Sequence, residues 1–167
     1  NKQDEKFFSH YHLYGDDNLE KSIKNAGYTI DEVTDVILTH LHFDHCGGAV
    51  QWKNNERNIL EPYFKNAIYW SNKEHWKWAN QPNSRERASF LKENISPIQE
   101  SGQLKFIERN GQFSKSVFPD MDVFFADGHT ESQMIPIIKY KGKSIAFMAD
   151  LLPVSYTHLR AHETIDD

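Results

Sequence analysis

The stretch Thr39-His40-Leu41-His42-Phe43-Asp44-His45-Cys46-Gly47-Gly48 sets three imidazoles and a carboxylate within six positions, at the exit of an apolar run. That run, Val33-Thr34-Asp35-Val36-Ile37-Leu38, is β-branched and largely apolar, as a buried strand is. The donors are too dense to be explained as packing. On an extended segment His40 and His42 project to one side, because side chains alternate with a period of two. They can grip one cation together, through imidazole nitrogens about 2.0–2.1 Å from a zinc ion. Asp44 and His45 come past the strand end, where a turning loop can offer both to a second cation. Leu41 and Phe43, interleaved, are expected to face the core. Two such ions about 3.5–4 Å apart can hold a hydroxide and polarise a scissile bond.

A closed site needs more donors, and two later segments supply them. Asp127-Gly128-His129-Thr130 follows the apolar run Val123-Phe124-Phe125-Ala126, and Ala146-Phe147-Met148-Ala149-Asp150 reads as a third strand ending in a carboxylate. Taken alone, His129 could be a loop histidine and Asp150 a turn or helix-cap residue. Three strands delivering donors from one end are what a sheet edge forming a site rim requires. No G-x-S-x-G elbow is present, so an acyl-enzyme route has no support.

His40-x-His42-x-Asp44-His45, followed in order by His129 and Asp150, resembles the metallo-β-lactamase-fold metallohydrolases, over residues from about 34 to 153. The resemblance implies an α/β fold, an αββα sandwich of that type, here incomplete at both ends. It implies a dinuclear site, usually zinc, at one edge. On that basis His40, His42 and His129 hold the first metal, Asp44 and His45 the second, and Asp150 bridges both. Asp44 is also the catalytic candidate, orienting the attacking hydroxide. A carboxylate at the bridging position argues against a β-lactamase, and His42 stands where redox di-iron relatives carry glutamate. The lactonase and organophosphate-hydrolase branch fits best. The expected function is metal-dependent hydrolysis of a lactone, ester or related bond in a small-molecule substrate, with two Zn²⁺ ions. The alternatives are a glyoxalase-II-like thioesterase and a truncated, catalytically inactive metal-binding fragment. Iron and manganese accept similar nitrogen–oxygen sets.

The resemblance also implies one more histidine beyond Asp150, which leaves the second zinc site incomplete here. His158 and His162 stand four apart and could share a helix face, but they follow Asp150 too closely to return from a separate strand. Residues 154–167 read as a non-native tail and residues 1–153 as a partial domain that lacks its opening strands.

Composition bounds the rest. A chain of 167 residues can bury a core, and its mixed charges and plentiful aromatics argue against disorder. A net charge of −5 gives no general attraction for nucleic-acid phosphate. No apolar run approaches the ~20 residues of a membrane span. The single Cys46 excludes an internal disulfide and reads as a small packed residue beside Gly47-Gly48 rather than a ligand or nucleophile. Cytoplasm is the default compartment, with export left open by the missing front end. Oligomeric state is not legible.

A helix is expected over residues 19–26 with Asn18 as N-cap and Gly27 after it. Another is expected to start within 48–52, behind the metal loop. A strand over 67–70 leads into a helix from Ser71 to Trp78, and a further helix over 84–95 is limited by Pro97. Residues 103–107 read as a strand; 134–140 and 144–149 read as a hairpin around Lys141-Gly142-Lys143. The segment 70–101, with Trp70, Trp76 and Trp78, could wall a substrate pocket, or more simply pin two helices onto the sheet. His75 reads as a surface or satisfied histidine, not a ligand.

Overall fold

The computed structural model describes residues 5–12 and 14–152; the segment 154–167, with His158 and His162, lies outside them. The helices are α1 Glu5–Ser9, α2 Leu19–Asn25, α3 Phe43–Cys46, α4 Lys73–Asn80 and α5 Lys92–Glu100. The strands are β1 Asp35–Ile37, β2 Val50–Trp52, β3 Leu60–Pro62, β4 Ile68–Ser71, β5 Leu104–Phe106, β6 Phe113–Phe118, β7 Met121–Ala126, β8 Gln133–Tyr140 and β9 Lys143–Ala146. They form a parallel sheet in the order β1-β4-β5, a β2-β3 hairpin and an antiparallel sheet in the order β6-β7-β8-β9.

The layering follows from which faces are apolar. Leu38, Tyr69, Trp76, Ala79, Ile95 and Ile98 belong to one core, which joins the parallel sheet to its helices. Ile37 and Trp70 pack against a second core of Ile107, Val123, Phe125 and Met134, which joins that sheet to the antiparallel one. The chain is therefore an α/β protein with helix, sheet and sheet stacked in turn. Tyr69 is fully buried, and its hydroxyl donates to the Ala49 carbonyl and accepts from the Phe64 amide. Burial pushes that hydroxyl up to about 12, so it stays neutral between its two backbone partners. Among the described residues no helix is long and apolar enough to cross a membrane.

Several expected elements form, with shifted ends. Asn18 caps α2 by accepting the Lys21 amide, and Gly27 follows at φ +88°, the left-handed conformation that ends a helix. Lys141 (φ 49°) and Gly142 (φ 73°) both lie in the left-handed region that a two-residue β8–β9 turn requires. Others differ. No helix starts within 48–52: Gly47–Ala49 is one 3₁₀ turn, and Val50 to Trp52 pair with β3. The helix expected over 84–95 begins only at Lys92 and carries Pro97 inside it. The buried Ile95, Pro97 and Ile98 offset the lost helical hydrogen bond by packing on the core. The strand expected to reach Ala149 ends at Ala146.

Candidate metal centre

The parallel sheet aims the first cluster. β1 ends at Ile37, Leu38 still donates to the Trp70 carbonyl, and the chain then leaves the sheet. His40 and Leu41 are fully buried, and His42, in extended conformation, caps the short helix α3 that carries Asp44 and His45. Leu41 enters the core as expected. Phe43 does not: the chain has turned helical there, and its ring packs on Phe7 and Tyr11 at 5.2 and 5.3 Å instead.

β7 delivers the second segment. Past its end, Asp127 accepts two bonds from the Arg109 guanidinium and one from the Ser132 amide. Arg109 hydrogen-bonds Asp127 and holds its carboxyl below the usual carboxylate range. This pair fixes the loop that presents His129, whose Nε2 lies 3.0 Å from His42 Nδ1. The third segment arrives after β9, where Asp150 sits 3.2 Å from His45 Nε2 by one oxygen and 3.4 Å from His129 Nε2 by the other. Ala149 before it has φ 45°, an uncommon conformation for a residue with a Cβ, and it stands beside this carboxylate.

Donor atoms thus converge in two groups that share one residue: His40 with His42 and His129, and His40 with His45 and Asp150. Asp44 lies beside the second, its Oδ2 3.7 Å from His45 Nε2. All six sequence candidates stand in one cluster. Burial, with the neighbouring imidazoles of His45, His42 and His129 adding repulsion, presses His40 down to about 2. His42 is lowered by burial and by His129, against the pull of Glu86 and Asp44. These rings stay neutral in ordinary water. His40 Nε2 is buried without a hydrogen-bond partner, and His42 turns Nδ1 toward His129 Nε2. Buried imidazole nitrogens that cannot take protons are a donor set suited to a divalent metal.

The surroundings brace this cluster. His75, at the start of α4, is fully buried; its Nε2 accepts the Leu41 amide at 2.8 Å and its Nδ1–H donates to the Glu131 carbonyl. Burial brings it down to about 4, against the Glu131 bond, so it is the neutral ring that both backbone partners need. The Cys46 thiol donates to the Leu41 carbonyl, and Asn72 donates to the Ser132 carbonyl. Both backbone groups of the residue between His40 and His42 are therefore held. Of the two readings, a surface or a satisfied histidine, the structure supports the second: His75 is buried and bonded at both ring nitrogens. Glu86, missed in the sequence, is also buried, with Oε2 3.7 Å from His42 Nε2. No spacing signal marks it, since it stands in a loop 44 positions along the chain from His42.

A cavity of about 620 Å³ opens beside Asp44, lined by Phe7, Phe8, Tyr11, Phe43, Trp52 and Tyr63 among others. It is not built from the 70–101 segment, whose Trp70, Trp76 and Trp78 pack into or against the two cores.

Comparison with known proteins agrees with this geometry. The family model described as Metallo-beta-lactamase superfamily matches residues 11–163. An N-acyl homoserine lactonase from Bacillus cereus is 25% identical over 142 residues, which are 85% of this chain and 46% of that protein. A probable metal-dependent hydrolase from Staphylococcus aureus superposes with a TM-score of 0.75 at 22% identity, over 91% of this chain and 50% of that one. AidC, a dizinc quorum-quenching lactonase in complex with a product, superposes with a TM-score of 0.63 at 24% identity, over 83% of this chain and 49% of that one. The chain spans about half the length of these relatives.

Proposed function

We propose that this chain, which belongs to the Metallo-beta-lactamase superfamily, carries the metal-holding part of a hydrolase that opens a lactone or ester bearing an apolar group. The reading rests on the two converging donor groups that share His40. His40, His42 and His129 would hold one zinc ion, Asp44 and His45 a second, and Asp150, with an oxygen toward each side, both. Zinc held there supplies Lewis acidity and makes hydroxide available near neutral pH.

The chain's own residues do the rest. The buried rings of His40 and His42 keep water off one side of the site. Asp44, 58% exposed at the mouth, is free to orient a water or accept its proton. The aromatic cavity beside it suits an acyl or aryl chain, which favours lactones and esters over charged substrates. The lactonase activity for which the Bacillus cereus relative is named points the same way.

The test is direct. The purified chain is loaded with zinc and offered an N-acyl homoserine lactone, an aryl phosphotriester and a thioester. Lactone opening that a chelator removes and zinc restores is the expected result. Preference for the thioester would move the assignment to that class of ester. A chain that holds less than one zinc and turns nothing over would leave a metal-binding fragment.

A further inference from the structure

We infer that Glu86 is a positioning residue, the carboxylate that receives the Nε2–H of His42 and so commits Nδ1 of that ring to a metal. The inference rests on His42 being a metal ligand, as proposed above. A histidine has two ring nitrogens, and which of them is free for a metal is set by what the other one meets. In His42, Nδ1 faces His129 Nε2 at 3.0 Å, on the side where the donor atoms gather. Nε2 faces away, is buried without a hydrogen-bond partner, and has Glu86 Oε2 as a charged neighbour at 3.7 Å.

The Glu86 side chain is 8% exposed, in a loop between α4 and α5, where a carboxylate would ordinarily lie in water. The loop is shaped around it: the Trp78 indole donates to Oε2 at 3.1 Å, Asn83 donates to Oε1 at 3.4 Å, and Arg85 stands 3.5 Å from Oε1. Asn83 Oδ1 also accepts the Glu86 amide. A carboxylate held beside an unpartnered imidazole nitrogen raises the basicity of the opposite nitrogen. Arg85, next to Glu86, donates to the Gly128 carbonyl, so this loop also meets the loop of His129.

Zinc(II) affinity decides the matter, measured by competition with a chromophoric chelator on the parent chain, Glu86→Gln, Glu86→Asp and His42→Ala. Glu86→Gln keeps an oxygen for Trp78 and should weaken the tighter zinc equivalent roughly 10–100-fold. Glu86→Asp, which retains the charge, should recover part of that loss. Circular dichroism of the metal-free chains separates this from unfolding. Should Glu86→Gln not fold, ¹⁵N-histidine spectra of the zinc-loaded parent still answer: His42 should carry its proton on Nε2. Zinc bound equally by the parent and Glu86→Gln, or a His42 proton on Nδ1, overturns the inference alone. A parent chain that binds no zinc overturns the metal-centre reading, and the inference falls with it.

Discussion

The two donor groups share His40 yet are built differently. Around His42 and Glu86 the side chains are 8% exposed, and the backbone between the histidines is held at both its amide and its carbonyl. His129, although in the first donor group, is 27% exposed, like His45 and Asp150 at 25% and 33%, and Asp44 is 58% exposed. A buried, braced set holds an ion tightly because little order is lost on binding; an open set leaves room for water and substrate. On the proposed reading, His40 and His42 would form the retaining side of the site, and His45, Asp150 and Asp44 the side open to exchange.

His42→Ala should break this contrast most completely, removing tight zinc binding while leaving the fold, as chelator competition would reveal. Acid should come next. Unfolded histidine takes a proton near 6.5, whereas folded His75 does so only at about 4. The unfolded chain therefore binds more protons between those values, so stability is whole above about pH 6.5 and falls as pH drops towards 4. The loss for His75 alone is about 3 kcal/mol, visible as a falling midpoint in urea unfolding of the metal-free chain. His40, pressed down to about 2, acts in the same direction. Asp150→Asn should then sharpen the contrast, weakening the more open zinc equivalent more than the tighter one, which keeps its three imidazoles, in metal-per-chain measurements. Ala149→Gly should have the smallest effect, within about 1 kcal/mol, since it relieves φ 45° while loosening the unfolded chain.

What could be read in advance was what lies close along the chain. His40, His42, Asp44 and His45 belong to one short segment, and their spacing alone announces a metal loop. His129 and Asp150 were legible because each follows an apolar run that forms a strand or ends one. Phe43 was misplaced because the period-two argument stops where α3 begins. Local propensity opposes Pro97 inside a helix, whereas packing of Ile95 and Ile98 overrides that cost. His75 and Glu86 were invisible as braces for a different reason. Their roles are set by partners distant in sequence: His75 meets Leu41 34 positions away, and no pattern around either residue encodes the meeting.

His129 reaches His42 from 87 positions along the chain. An ion gripping both would fasten a long excursion of the polypeptide, so chelation should act as a mild denaturant as well as an inhibitor. Capture of the ion would then come late in refolding, after the two sheets have met.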